Sequence, residues 1–166
     1  YTGWLRGFLD AVGVGRAAIV GHSMGGGLAL SLALSDPDRV DRLILISGFP
    51  QDVLNRIRGP YLKLFARLGS GVLFRLGYRL LGRRAFRKFI GGLVTDRSLV
   101  TAAVIERAYR LRKDYGKARP LWSTLTHIAD WENNYAPRLN AVAAPTLIVW
   151  GRDDRFIPVT AGEELH

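Results

Sequence analysis

Ser23 stands in Gly21-His22-Ser23-Met24-Gly25 and is the chain's clearest candidate for chemistry. A serine hydroxyl is a weak nucleophile at neutral pH until a neighbouring base takes its proton. The setting is what singles Ser23 out. The apolar run Ala17 to Val20 leads in and reads as a short buried strand. Leu28 to Leu34, entered through small residues and stopped by Asp36-Pro37, reads as a helix apolar nearly all round. Strand, Gly-x-Ser-x-Gly, helix is the arrangement of a nucleophile elbow, a sharp turn that strains the serine backbone and lifts its hydroxyl clear of the sheet. Strand and helix pass close together there, so the residues two before and two after the serine must be small. Gly21 and Gly25 meet that need. A glycine-rich turn at a helix N-terminus can instead hold a phosphate. Against that stands the absence of Gly-x-Gly-x-x-Gly and of a P-loop lysine.

The segments around Ser23 read in chain order. Tyr1 to Val12 places Trp4, Leu5, Phe8, Leu9 and Val12 at helical spacing, with Gly13 as a stop. After the elbow helix, Leu43 to Ile46 is a second apolar strand. Two such strands joined by a helix form a right-handed unit of a parallel sheet. Gly48-Phe49-Pro50 marks a boundary. From there to about Asn140 the pattern is helical and arginine-rich, with one helix expected from Ser98 to Tyr115, closed by Gly116. Pro120 to Arg138 is aromatic-rich and holds one or two short helices. Thr146 to Trp150 is a third buried strand, and Thr160 to His166 begins another helix.

Composition narrows the possibilities. A chain of 166 residues, 48 % hydrophobic, is enough for one domain with a real core. There is no cysteine, which excludes disulfides, thiolate chemistry and cysteine-based metal sites. No apolar run approaches the roughly 20 residues that span a bilayer, and no signal segment is visible. A cytoplasmic location is therefore favoured, although a first residue other than Met implies a missing N-terminus. No metal or cofactor is called for.

Ile19-Val-Gly-His-Ser-Met-Gly-Gly26 resembles the nucleophile motif of the α/β-hydrolase family. Asp36-Pro-Asp-Arg-Val-Asp-Arg-Leu-Ile-Leu-Ile-Ser47 resembles that family's next helix exit and strand, and the likeness returns from Ala141 to His166. It implies an α/β fold: a partial α/β-hydrolase core over 1–49 with the elbow, an inserted helical cap over 50–140, and a second piece of core over 141–166 with the acid loop. Ser23 is then the nucleophile, and Met24 offers its backbone N–H to the oxyanion. Gly151, Asp154 and Pro158 match the acid loop. Asp154 would hold a histidine in the right tautomer and stabilise its imidazolium, while neighbouring Asp153 reads as a solvated carboxylate, paired with Arg152 or Arg155. The order Ser23 before Asp154 agrees with the family's Ser, Asp, His order.

The family's base follows the acid after a further helix and strand. His166 comes only 12 positions after Asp154, inside the expected helix. His22 should aim its ring away from the hydroxyl and pack under the elbow, and His127 falls in the cap as a core or pocket-lining residue. The resemblance thus implies an internal fragment, without the N-terminal strands, the loop that supplies a second oxyanion donor, and the C-terminal histidine segment. On its own the fragment is expected to be inactive, because a triad works as a unit, and poorly folded, with sheet edges prone to association.

The implied reaction is serine hydrolysis of an ester or related carbonyl through an acyl-enzyme, with a small-molecule acyl or ester substrate, as in an esterase or lipase. The acid loop, Leu147-Ile-Val-Trp-Gly-Arg-Asp-Asp-Arg-Phe-Ile-Pro158, is also similar to that of carbon–carbon bond hydrolases for ring-cleavage products. Haloalkane dehalogenases and most epoxide hydrolases of the fold carry Asp where this chain has Ser23, which argues against both. A reading from another class is a basic, non-catalytic binding or membrane-associated module.

Charge gives that last reading its footing. The net charge is +10, yet 18 of the 24 basic residues and only six of the 14 acidic ones lie between Gln51 and Asn140. No acid occurs between Asp52 and Asp96. An amphipathic segment there, with Leu62, Leu64, Phe65, Leu68, Leu73, Phe74, Leu76, Leu80, Leu81, Phe86, Phe89 and Ile90 on its apolar side, can lie on an anionic membrane surface. The plainer alternative turns the apolar side to the sheet and leaves the arginines solvated. Nucleic acid is not an expected partner, since no recognised module is present. Trp122, Trp131 and Trp150 read as core or as pocket lining.

Overall fold

In a computed structural model of the protein, the backbone is described for residues 1–58, 71–113 and 115–166, and side chains for the same residues outside 112–118. Three strands form one parallel sheet: β1 (Ala17–His22), β2 (Val40–Ile46) and β3 (Thr146–Val149), in that spatial order. The described helices are α1 (Thr2–Ala11), α2 (Met24–Ser35), α3 (Val53–Arg56), α4 (Gly71–Leu80), α5 (Arg83–Gly92), α6 (Ala102–Lys113), α7 (Tyr115–Thr126), α8 (Ile128–Asn134) and α9 (Thr160–Leu165). The chain divides into two compact units. One comprises Tyr1–Val53, Ala129–Arg152 and Val159–His166; the other comprises Leu54–Ile128 and Asp153–Pro158.

The first unit holds the sheet. Gly21 lies opposite Leu45 and His22 opposite Ile46, while Ile46 lies opposite Val149. Helix α2 is buried along nearly its whole length, from Gly26 to Leu34 with Leu28 half-buried, as its apolar circumference requires. Leu32, Leu43 and Leu45 are almost fully buried. Two side chains brace α2 at one carbonyl: Ser31 Oγ donates to Gly27 O at 2.8 Å, and Trp131 Nε1 donates to the same oxygen at 3.1 Å. Trp131 also meets Phe49 edge to face at 5.7 Å, so it is a core residue. Trp150 packs its ring against Gly162, where a Cβ would come within 2.6 Å of the indole.

One expectation is corrected here. β1 is not a strand buried on both faces: of its six residues only Gly21 is buried, and the positions alternate. Helix α2 lies against the strands, and side chains alternate across a pleat. The other face leaves Val20, Ile46, Leu147 and Val149 exposed. His22 shares the Val20 parity and is exposed, so it does not pack beneath the elbow.

The second unit is helical. Phe74 of α4 stacks on Tyr78 at 5.7 Å and lies 5.2 Å from the Trp122 ring of α7. Trp122 is thus a packing residue within this unit. Phe86 of α5 meets Tyr109 of α6 edge-on at 5.9 Å, and Arg83 lies over the Tyr109 ring while pairing with Glu106 at 2.9 Å. The segment from Asp153 to Pro158 joins this unit through Arg58 N–H to Phe156 O (2.9 Å) and Thr95 Oγ1 to Asp153 O (3.3 Å).

The helix expected from Ser98 to Tyr115 begins later and ends earlier. Residues Arg97–Leu99 form a separate short turn, in which Asp96 Oδ1 accepts from Ser98 N–H at 2.9 Å. Thr101 then starts α6, its Oγ1 accepting from Val104 N–H at 3.3 Å. A hydroxyl three residues upstream satisfies a helix-end N–H better than continuation through Ser98 does. Gly116 does not close α6; it lies in α7. The apolar positions Leu62, Leu64, Phe65 and Leu68 lie outside the described residues.

Candidate active site

Ser23 occupies the turn between β1 and α2 with φ 51° and ψ −119°, a backbone conformation that L-residues with a Cβ rarely adopt. The turn is pinned from both sides. Ser23 N–H donates to Ile46 O of β2 at 3.0 Å, and Ser23 O accepts from Gly26 N–H at 2.9 Å, beginning α2. The Ser23 side chain makes no capping bond to the helix it precedes. Serine at that position usually spends its hydroxyl on a cap; here the strained backbone turns the hydroxyl elsewhere.

The glycines around Ser23 are not equivalent. A Cβ on Gly21 would lie 2.6 Å from the Gly25 carbonyl carbon and 2.7 Å from Gly26 Cα. A Cβ on Gly25 would meet nothing within 4 Å, so the expectation that both flanking positions must be small holds at Gly21 and fails at Gly25. The elbow demands glycine further along instead. A Cβ on Gly26 would come 2.8 Å from Gly48 Cα, and one on Gly27 2.9 Å from the Phe49 ring. Those requirements depend on which strand end passes beneath α2, which no local motif discloses.

Met24 is the first residue of α2 and its side chain is exposed. The first N–H groups of a helix have no partner within it and carry the positive end of its dipole. That fits the backbone of Met24 to receive developing negative charge, whatever its side chain.

Asp154 is half-buried in the second unit. Its Oδ1 accepts from Phe156 N–H at 2.8 Å and from Ile157 N–H at 3.0 Å. The loop thereby fixes one carboxylate oxygen through its own backbone. Asp153 is exposed, and its carbonyl accepts from Thr95. Among the described residues neither carboxylate forms an ion pair with Arg152 or Arg155. Ser23 and Asp154 fall in different compact units.

Among the described residues none of the three histidines hydrogen-bonds Ser23. His22 is exposed at the end of β1, and His166 is exposed after α9. His127 engages Ser123 O through Nδ1 at 2.6 Å within the second unit. Ser47, at the end of β2, was not singled out by its sequence. It also has positive φ, 42°, and its N–H donates to Val149 O at 2.9 Å. A Ser-Gly pair after an apolar strand is the only local signal for it.

A model of the α/β hydrolase fold matches residues 2–166. The chain belongs to the α/β-hydrolase fold family. Among curated α/β hydrolases, the chain is 34 % identical to 2-hydroxy-6-oxononadienedioate/2-hydroxy-6-oxononatrienedioate hydrolase 1 of Dechloromonas aromatica, over 97 % of this chain and 54 % of that protein. It is 30 % identical to the 2-hydroxy-6-oxo-6-phenylhexa-2,4-dienoate hydrolase of Burkholderia cepacia, with the same coverage. It is similar in fold to the 2-hydroxy-6-oxo-6-phenylhexa-2,4-dienoate hydrolase of a Rhodococcus strain, with a TM-score of 0.70 at 24 % identity over 99 % of this chain and 56 % of that one. The chain therefore spans about half the length of the curated relatives it matches. Among the described residues no helix is long and apolar enough to cross a membrane.

Proposed function

We propose that this chain carries the nucleophile of a carbon–carbon bond hydrolase whose substrate is a ring-cleavage product, a 2-hydroxy-6-oxo-dienoate. The observation that carries the reading is the 34 % identity, along 97 % of the chain, to a relative named for such a substrate. The strained Ser23 at the head of α2 supports it chemically. The ester reading shares the same nucleophile, but the relatives described above are named for dienoate substrates.

A substrate of this class explains how a serine hydrolase can break a carbon–carbon bond. Ketonisation moves a proton to C5 and leaves C6 as an isolated carbonyl. Ser23 Oγ attacks C6, its proton passes to a base, and the carbonyl electron pair moves onto oxygen, where the Met24 N–H receives it. Collapse of that oxyanion restores the carbonyl and breaks the C5–C6 bond. The departing pair delocalises through C3 and C4 onto the C2 oxygen, which makes carbon a tolerable leaving group. Water then releases the acyl group from Ser23 as a carboxylic acid. Asp154, fixed by the Phe156 and Ile157 amides, orients the base through its remaining oxygen. None of the three histidines hydrogen-bonds Ser23 or Asp154 among the described residues, and in this family the base follows the acid.

The test therefore uses a polypeptide that carries this chain with the flanking sequence of its gene. It should consume 2-hydroxy-6-oxo-6-phenylhexa-2,4-dienoate, releasing benzoate, with kcat/KM at least about tenfold above that for p-nitrophenyl esters. Ser23→Ala should cost about 10³-fold or more. Preferential turnover of the esters would return the ester reading to first place. A fluorophosphonate probe should leave Ser23 of the 166-residue chain unlabelled; stoichiometric labelling would refute that part.

A further inference from the structure

Helix α4 shows an apolar face to solvent. Val72 is 64 % exposed, Leu73 51 %, Leu76 52 % and Leu80 71 %. Successive helical residues turn by about 100°, so these four fall within a sector about 100° wide. Phe74 and Tyr78, on the far side, make the ring contacts with each other, and Phe74 also meets Trp122. The helix therefore already has its core-facing side, and the leucine sector is a second apolar face. Arg79 lies along one margin of that sector.

The sequence that carries this face has charge of one sign. Residues 71–95 contain five arginines and one lysine and no acid. Arg83 is paired with Glu106. Arg79, Arg84, Arg87 and Lys88 are exposed and form no ion pair among the described residues. On α5, burial of Phe86 turns Arg84 and Lys88 outward.

We propose that α4 docks the second unit onto an anionic bilayer surface, its leucine sector entering the headgroup boundary while the flanking cations meet lipid phosphates. The proposal does not rest on the carbon–carbon hydrolase reading. Charge complementarity selects this occupant: a bilayer carries anionic groups directly above apolar chains, matching leucines bordered by arginines whose stems can lie along the apolar boundary. A second copy would set two like-charged cationic segments against each other and is disfavoured by those charges.

The experiment is co-sedimentation of the polypeptide that carries this chain with its flanking sequence, using phosphatidylcholine vesicles with and without about 30 % phosphatidylglycerol, at low salt. The partition coefficient should be at least about tenfold higher on the anionic vesicles and should fall as salt shortens the screening length. L76S/L80S should lower it about tenfold or more by removing buried apolar surface. R84Q/R87Q/K88Q should lower it about fivefold per charge that contacts lipid, and offers a second reading should the leucine variant not fold. Far-UV circular dichroism checks both variants. The proposal is overturned by any of four results: no binding to anionic vesicles at low salt, equal binding to neutral ones, binding indifferent to both folded variants, or a concentration-dependent dimer lost in L76S/L80S without vesicle binding, which would give the sector to a second copy.

Discussion

Gly21→Ala and Gly25→Ala separate two accounts of the elbow. If the motif requires small residues symmetrically about Ser23, the two substitutions should do comparable harm. The structure says otherwise. A Cβ on Gly21 would sit 2.6 Å from Gly25 C and 2.7 Å from Gly26 Cα, and relief to the 3.4 Å limit of ordinary contact needs a shift of more than about 0.8 Å, because the Gly25 carbonyl oxygen lies nearer still. Both opposing atoms are backbone, in the first turn of a buried helix, so no side chain can swing away. That turn also holds Gly26 and Gly27 against Gly48 and Phe49. Overpacking of a well-filled core costs typically 1–3 kcal/mol, and this site, rigid on both sides, belongs near the upper end at about 3 kcal/mol. For a chain of this size each kcal/mol moves Tm by roughly 2–4 °C, which gives a loss of about 6–12 °C. Gly25, by contrast, lies inside α2 with open space at its Cβ and no positive φ. Alanine there should be neutral or raise stability by about 0.4–1 kcal/mol through the unfolded chain. The assay is urea unfolding of both variants beside wild type, each in the polypeptide that carries this chain with its flanking sequence, followed by far-UV circular dichroism. Equal losses at the two positions, or a Gly21→Ala variant as stable as wild type, would refute the reasoning.

Three other sites give separate expected outcomes. Ser23→Gly should raise stability by about 1 kcal/mol, because φ 51° costs a glycine little, while Ser23→Ala should leave stability near wild type; a gain with alanine equal to that with glycine would show that strain is not the cause. Asp154→Asn keeps an acceptor for the Phe156 and Ile157 amides, so it should unfold within about 1 kcal/mol of wild type yet lower turnover of the proposed substrate by about 10⁴-fold. Asp154→Ala should lose both, the loop showing faster proteolysis. The Asp96 carboxyl is held below its ordinary value of 3.8 by the hydrogen bonds from the Ser98 side chain and backbone N–H. Its contribution is thus present above that value and lost as pH falls through the lower, folded one. Ser98 amide exchange, corrected for intrinsic rates, should lose protection only below about pH 3.8 and should do so at every pH in Asp96→Asn if charge is what the cap needs.

The sequence disclosed what is local and concealed what depends on distant neighbours. A strand, a turn and a helix lie within Ala17–Ser35, so the strained serine was legible from spacing alone, as was the all-round burial of α2. The burial of Trp131 was legible only as a tendency, since the carbonyl it binds, Gly27 O, lies 104 positions away. Gly26 and Gly27 carried no signal of their own, because the objects they approach, Gly48 and Phe49, arrive through the β2 register. The start of α6 was misplaced because Ser98 and Thr101 are both competent to cap, and the Asp96 side chain captures Ser98 first. The loop motif marks Asp154 as a candidate acid, yet the Phe156 and Ile157 amides that fix its carboxylate depend on a turn geometry that residue names do not disclose.

Ser47 shows why backbone strain does not by itself identify a nucleophile. Ser23 and Ser47 each come directly after the last residue of a strand, and those last residues, His22 and Ile46, are partners in the sheet. Both serines have positive φ and both donate their N–H to the neighbouring strand. They differ in the segment each leads into. After Ser23 the chain enters α2, whose first N–H group, that of Met24, has no acceptor earlier in the helix. After Ser47 it enters Gly48-Phe49-Pro50, all three buried, where Pro50 has no N–H to offer and Gly48 serves as the seat for Gly26. The strain at Ser47 brings Gly48 and Phe49 beneath α2, so it is spent on packing. The strain at Ser23 stands at the head of a helix whose first amide could receive an oxyanion, and that pairing is what the proposed chemistry rests on.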